Sequence, residues 1–194
     1  MTLERATGYV VAGGRSERMG RDKALLPWAD GTLLDHALAR LRSVCGDVRI
    51  LSGPEHRYAD RGAAVRTDLV KDAGPLGGLH AGLSDLSDPL GLFLGVDVPF
   101  VPVTLLERLL AAAEGSDAVV PVVEGHPEPL CAVYRRSCRE AVAARLAAGE
   151  RKMTCFWPDV RVRTLAEAEL AAFGDPREMF RNVNSPEDYR RARG

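Results

Sequence analysis

Two glycines and a group of cationic residues follow one another closely near the start of the chain. The apolar run over residues 8–12 ends at Gly13 and Gly14, and the cations are Arg15, Arg18, Arg21 and Lys23. Glycines let backbone N–H groups approach an anion closely, and cationic side chains offset phosphate charge. The pattern therefore predicts a phosphate site at the carboxyl end of the first strand of an α/β sheet.

The spacing of this loop differs from that of two common glycine loops. A P-loop places lysine directly after its second glycine, whereas Lys23 comes two residues too late and Ala24 follows it. The dinucleotide motif G-x-G-x-x-G is excluded because Gly13 and Gly14 are adjacent. A plain glycine turn with solvated cations is the alternative interpretation, but the clustering of four cations at the turn favours anion binding.

Asp97 follows an almost wholly apolar run, residues 90–96, and Pro99 comes soon after it. Such a run is typical of a central parallel strand covered on both faces. A carboxylate at its end is costly unless it meets a cation or hydrogen-bond donors, and Mg²⁺ prefers carboxylates together with substrate phosphates. We expect Asp97 to hold Mg²⁺ beside a triphosphate; the alternative is an aspartate that caps the turn before Pro99.

Segments with strand and helix patterns alternate along the chain. Thr32 is expected to cap a helix over residues 33–44, Pro75 to open another, and Thr104 with Glu107 and Ser137 with Glu140 to form capping boxes. Strands are expected at residues 48–51, 64–67, 118–123 and 130–134. This order predicts one domain over residues 1–194, a three-layer α/β/α Rossmann-like sandwich with a mainly parallel sheet. Because ligands bind beyond the carboxyl ends of such strands, Gly13 and Asp97 should face one cleft.

Composition argues against several classes of protein. The chain has 26 Lys and Arg against 27 Asp and Glu, so no overall basic field would recruit nucleic acid. No apolar run approaches the roughly 20 residues that span a bilayer, and the start lacks the pattern of a signal peptide. The four cysteines show no metal-binding spacing, and we expect reduced thiols in a cytoplasmic protein.

Further motifs along the chain carry a resemblance to a known family. They are R-M-G-R-D-K-A-L-L at residues 18–26, G-P-L-G-G at 74–78, D-V-P at 97–99, G-E-R-K at 149–152 and N-V-N-S-P-E-D at 182–188. The chain resembles nucleotidyltransferases that attach NMP groups to phosphorylated acceptors, and it is most similar to the MobA-like molybdenum cofactor guanylyltransferases. Asp22, directly before Lys23, favours these over the related cytidylyltransferases, which usually lack that aspartate.

The resemblance implies a nucleotidyltransferase fold, GTP and molybdopterin as substrates, and Mg²⁺ as cofactor, held by Asp97. It implies catalytic roles for Lys23, Asp97 and Arg15. The nucleotide would contact Val11, Ala12, Gly13, Gly14, Lys23, Ser52, Asp68 and Asp97. The acceptor would contact Arg18, Gly78, Arg151, Asn182 and Asn184. It also implies transient contacts with other molybdenum cofactor proteins, and no role for nucleic acid or membrane.

Two rival functions stay open from the sequence. A related enzyme could use CTP or a sugar phosphate, and a regulator could bind the nucleotide without turnover. The scattered histidines are interpreted as structural or surface residues. Trp28 and Trp157 are interpreted as packing residues, although either could flank a ring the size of a pterin.

Overall fold

A mixed sheet forms the centre of the computed structural model, which describes residues 5–13 and 22–193. The strands are β1 (Ala6–Val11), β2 (Pro27–Trp28), β3 (Gly31–Thr32), β4 (Asp47–Leu51), β5 (Ala64–Arg66), β6 (Leu90–Gly95), β7 (Ala118–Val123), β8 (His126–Pro127), β9 (Cys131–Arg135) and β10 (Val162–Leu165). The helices are α1 (Leu33–Arg42), α2 (Gly74–Asp85), α3 (Val103–Ala111), α4 (Cys138–Ala147), α5 (Glu167–Leu170), α6 (Pro176–Met179) and α7 (Pro186–Arg193).

The strand order in the main sheet is β10-β7-β9-β6-β1-β4-β5, with β8 paired to β7. β9 and β8 run antiparallel to their neighbours, and the other pairs in this sheet are parallel. Val11 lies opposite both Leu51 and Gly95, so β1, β4 and β6 end at the same edge. The predicted α/β Rossmann-like sandwich with a mainly parallel sheet is confirmed.

Two apolar clusters cover the two faces of the sheet. One contains Val10 with buried leucines of α1 and α3, and the other contains Tyr9 and Val11 with buried leucines of α2 and α4. Successive residues of β1 thus enter opposite clusters, as the alternation of side chains along a strand requires. Because both faces of the sheet are buried, the sequences of β1 and β6 are almost continuously apolar.

The helix starts follow the sequence signals only in part. Thr32 forms a capping box with Asp35 at the start of α1, as the expected N-cap. The expected capping box of Thr104 and Glu107 is wrong, because α3 begins two residues earlier than a Thr104 cap requires, at Val103 after Pro102, which has no side-chain donor or acceptor to cap with. The second box, of Ser137 and Glu140, is also wrong, since the Ser137 hydroxyl donates to Asp117 across 3.0 Å instead.

The four cysteines are all unpaired, and three of them are buried within the core. These three pack as small hydrophobic groups, as expected, and the reduced state of the thiols stays a prediction. Over the described ranges, we find no helix with both the length and the apolar character needed to cross a membrane.

Candidate active site

Lys23, Asp97 and Asn184 meet at the carboxyl edge of the sheet. Lys23 opens a single 3₁₀ turn, Asp97 lies two residues beyond β6, and Asn184 lies in the loop before α7. The Lys23 ammonium is 3.2 Å from an Asp97 carboxylate oxygen and 2.7 Å from the Asn184 side-chain oxygen. Segments from the start, the middle and the end of the chain therefore build one polar centre.

Val183 holds the third segment in place. Its side chain is fully buried in a small cluster with Leu26 and Leu33, and its N–H donates to the Asp97 carbonyl across 2.9 Å. The asparagines on either side, Asn182 and Asn184, are exposed. The N-V-N string therefore consists of an apolar anchor and two amides presented at the surface.

Asp22 holds the start of the turn that carries Lys23. Its carboxylate accepts hydrogen bonds from the Tyr58 hydroxyl at 2.7 Å, from the Arg57 guanidinium at 3.1 Å and from the Ala24 N–H at 3.1 Å. Burial and the Asp22 carboxylate both raise the pKa of Tyr58, so its phenol stays protonated and donates. Asp22 thereby fixes the direction in which Lys23 leaves the turn.

The backbone at the end of β1 is tightly enclosed. The Ala12 N–H donates to the Leu51 carbonyl, and the Val96 N–H donates to the Val11 carbonyl. A Cβ on Gly13 would lie 2.8 Å from the backbone nitrogen of Gly53, closer than side chains approach. Glycine is therefore required at position 13 by the neighbouring loop, besides any need for approach to a ligand.

Ser52 and Asp68 follow β4 and β5 at the same edge. The Ser52 side chain is fully buried and donates to the Glu55 carbonyl across 2.6 Å, so its hydroxyl is used within the protein. The Asp68 carboxylate lies over the first turn of α2, 3.6 Å from the position that a Cβ on Gly77 would take. Burial raises the pKa of Asp68.

Comparison with known proteins shows similarity over nearly the whole chain. A curated "Probable molybdenum cofactor guanylyltransferase" of Pelotomaculum thermopropionicum is 37% identical, over 97% of this chain and 92% of that protein. A "Molybdenum cofactor guanylyltransferase" of Xanthomonas euvesicatoria is 35% identical, over 98% and 96%. The family model described as a MobA-like NTP transferase domain matches residues 8–160. The chain belongs to the MobA-like NTP transferase family.

Solved structures agree with the fold of this MobA-like domain. The crystal structure of molybdopterin-guanine dinucleotide biosynthesis protein A from Archaeoglobus fulgidus superposes with a TM-score of 0.82 at 25% identity, covering 96% of each chain. A 2-C-methyl-D-erythritol 4-phosphate cytidylyltransferase from Thermus thermophilus has a TM-score of 0.70 at 22% identity, covering 95% of each chain, which bears on the fold alone. The protein is thus a nucleotidyltransferase by family and by fold.

The remaining residues predicted for the MobA-like site are placed as follows. Gly14, Arg15 and Arg18 lie outside the described residues. The Arg151 guanidinium donates to the carbonyls of Leu146 and Glu150, and to that of Asp72 in the loop that enters α2. Gly78 is buried in the first turns of α2 and faces the Asp68 carboxylate, and the Asn182 amide donates to the Phe180 carbonyl at 3.5 Å. Ligand contacts of all these residues stay predictions.

Glu128 is a site neighbour that the sequence pattern did not single out. It lies between β8 and β9, and burial together with the nearby Asp97 carboxylate raises its pKa to about 7, while His126 acts in the opposite direction. The signal that could have found it is a carboxylate between Pro127 and Pro129, just ahead of the buried strand β9.

The residues at this centre suit Mg²⁺ shared with a phosphate ligand. In the part of the chain that the structure describes, no three His, Cys, Asp or Glu side chains are close enough to form a metal cage. Asp97 offers a carboxylate that is about a quarter exposed, at 24%. Because Mg²⁺ is usually bound by one or two carboxylates with substrate phosphates and water, Asp97 fits a metal that arrives with a triphosphate.

Proposed function

We propose that this MobA-like domain transfers GMP from GTP to the terminal phosphate of molybdopterin and releases pyrophosphate. The names of its relatives support this choice of substrates. The observation that carries the proposal is the meeting of Lys23, Asp97 and Asn184 where β6 ends. A cation, a carboxylate and an amide at the carboxyl edge of a parallel sheet suit a charged phosphate ligand.

The chemistry requires alignment more than a strong base. The acceptor is a phosphomonoester whose second pKa is about 6, so it is largely ionised near neutral pH. Its oxygen forms the new bond to the α-phosphorus of GTP, the bond from that phosphorus to the bridging oxygen breaks, and pyrophosphate leaves with the electron pair. Catalysis then depends on holding the two phosphates in line and on offsetting their charge.

Each residue has a defined task in this proposal. Lys23 binds the phosphates, with Arg15 and the N–H groups of Gly13 and Gly14 beside it. Asp97 holds Mg²⁺, which when bound offsets negative charge on the pyrophosphate. Asn184 positions the Lys23 ammonium through the 2.7 Å hydrogen bond and, with Asn182, faces the acceptor.

The strand order suggests how the two substrates share the edge of the sheet. β6, which precedes Asp97, has β1, β4 and β5 on one side and β9 and β7 on the other. Gly13, Ser52 and Asp68 follow the first three of these strands, so the nucleotide belongs on that side. The acceptor then approaches Asp97 from the side of β7. We also propose a cytoplasmic location and transient contact with other proteins of molybdenum cofactor synthesis.

The test is GMP transfer by the purified protein with GTP, molybdopterin and Mg²⁺, followed by pyrophosphate release and by the dinucleotide product. We expect Asp97→Ala and Lys23→Ala each to lower kcat/KM by about a hundredfold or more. Arg5→Ala is the control, because Arg5 is highly exposed and lies at the amino end of β1, the opposite edge of the sheet. Transfer from CTP in preference to GTP would replace the proposal with a cytidylyltransferase, and nucleotide binding without pyrophosphate release would replace it with a regulator.

A further inference from the structure

An open cavity of about 810 Å³ lies beside the β7–β8 hairpin, on the side of the sheet edge assigned to the acceptor. Its lining includes His126, Lys152, Thr154, Trp157, Val160 and Val162. An aromatic face, apolar side chains and a few polar groups form the usual lining of a site for a small heterocycle. We call this space the ring cavity.

The wall that carries Trp157 is built rigidly. Its backbone forms a 3₁₀ turn at residues 157–159, and the Trp157 N–H donates to the Thr154 carbonyl across 3.2 Å. Arg145 of α4 holds the segment from outside, since its guanidinium contacts the Asp159 carboxylate at 2.7 Å and the Glu150 carboxylate at 3.1 Å. The backbone turn that carries Trp157 is therefore held in place before any ligand binds, and its side chain packs against the apolar cluster on this face of the sheet.

Two polar groups at the ring cavity are not used within the described part of the protein. The Trp157 Nε1 is buried there without a hydrogen-bond partner, although buried indole N–H groups usually have one. The exposed Lys152 side chain makes no hydrogen bond or ion pair with the described residues. The Lys152 ammonium is thus available to a ligand beside an aromatic face, whereas the Trp157 N–H is enclosed by the protein.

The ring cavity lies at a suitable distance from the reacting phosphates. Strands are about 4.8 Å apart, and β7 is two strands and β10 three strands away from β6, so the near wall of the cavity at β7 is about 10 Å from β6 and the far wall at Val162 of β10 is about 14 Å away. Glu128 connects the two places, because it is two residues after His126 and within electrostatic reach of both His126 and Asp97. A ligand with a phosphate at Asp97 and a ring on a short linker would place its ring here.

We propose that the ring cavity binds the pterin ring system of the acceptor, with the ring stacked on Trp157 and its polar edge toward His126 and Lys152. This inference rests on the proposed function, since it takes molybdopterin as the acceptor. The ring is the part of that substrate that the phosphate-binding residues do not reach. The cavity would therefore select the acceptor while the centre at Asp97 performs the transfer.

Steady-state kinetics with molybdopterin test this assignment. Stacking of a planar base on an aromatic side chain commonly accounts for a tenfold effect or more. We expect Trp157→Leu to raise the KM for molybdopterin about tenfold, with kcat and the Kd for GTP within about twofold of wild type. Trp157→Phe should retain most of the affinity because it keeps an aromatic face, and Lys152→Ala should raise KM about threefold. Arg5→Ala is again the control.

A direct binding measurement separates failure of this inference from failure of the proposed function. The probe is 6-hydroxymethylpterin, whose own fluorescence reports stacking, added to the intact protein without nucleotide. Quenching by wild type, but not by Trp157→Leu, supports the ring cavity even if GMP transfer is absent. If wild type transfers GMP but none of the variants changes the KM for molybdopterin, the inference is overturned and the proposed function stands. Melting temperatures show whether each variant is folded.

Discussion

Asn184 accepts a hydrogen bond from Lys23 at 2.7 Å, although 161 positions separate the two residues in the chain. The same ammonium lies 3.2 Å from Asp97. The amide oxygen and the carboxylate oxygen therefore both contact the Lys23 ammonium. Because both side chains approach the one ammonium group, its position depends on the loop that precedes α7.

Removing the Asn184 amide should reduce activity without unfolding the protein. Asn184 is exposed, so Asn184→Ala leaves no buried group unsatisfied, but Lys23 loses the oxygen partner at 2.7 Å. We expect kcat/KM to fall at least about tenfold while the melting temperature changes little. The control is Arg191→Ala, which breaks an exposed ion pair with Glu187 in α7. Full activity of Asn184→Ala would contradict a positioning role.

Loss of the Asp22 carboxylate should weaken both folding and GTP binding. Asp22→Ala removes the common acceptor of Tyr58, Arg57 and Ala24. In mutational series, a hydrogen bond to a charged group contributes about 1.5–3 kcal/mol to stability. We expect a free energy of unfolding lower by about 2 kcal/mol and a Kd for GTP raised severalfold.

Tyr58→Phe is the matched variant for this prediction, since it removes one donor and keeps the ring. It should show a smaller loss in both denaturant unfolding and nucleotide titration. If Asp22→Ala binds GTP as wild type does, the carboxylate does not position the Lys23 turn.

A methyl group at position 13 should be destabilising where one at position 46 is harmless. The Cβ of Gly13→Ala would lie 2.8 Å from the Gly53 nitrogen, and backbone atoms cannot move aside as a flexible side chain can. We expect a loss of about 1–3 kcal/mol of stability in chemical denaturation, with weaker nucleotide binding. Gly46→Ala is the control because its Cβ would meet nothing within 4 Å. Equal stability of the two variants would refute the close approach of these loops.

The stability of the metal-free protein should depend on pH through Glu128. Its pKa in the folded state, about 7, is above the ordinary value of 4.5, so the folded state prefers the protonated carboxyl. This contribution to stability is complete below about pH 4.5 and is lost as the pH rises through about 7. Glu128→Gln should therefore melt at a higher temperature than wild type near pH 8, and the difference should vanish toward pH 4.5.

The exposed Glu187 provides the control for this titration. In the presence of a chelator, the melting temperature of Glu187→Gln should equal that of wild type at every pH. A Glu128→Gln profile parallel to that of wild type would show that burial beside Asp97 does not perturb the carboxyl.

The sequence was sufficient to place Lys23 and Asp97 together because each follows a segment whose type is set by a local pattern. Apolar runs of five and seven residues, at 8–12 and 90–96, indicate parallel strands, and the carboxyl ends of such strands meet at one edge. Asn184 could be joined to them only through the family resemblance, since no local pattern brings the segment before α7 to β6. The contact depends on the burial of Val183, which is a tertiary event.

The partners of Asp22 could not be predicted for a related reason. Arg57 and Tyr58 lie in an irregular loop between β4 and β5, and Tyr58 has a positive φ of 67°, which few non-glycine residues adopt. Such a conformation is stabilised by distant contacts, here with Asp22. The Ser137 capping box failed similarly, because Asp117 offers its hydroxyl a competing acceptor.

The hydrogen bond between the Val183 N–H and the Asp97 carbonyl has a consequence for synthesis on the ribosome. Strands β1 to β10 all precede residue 166, so every strand is synthesised before the segment that carries Val183 and Asn184. Lys23 meets Asn184 only after that segment emerges. The strands of the scaffold are therefore made before the residues that complete the candidate site.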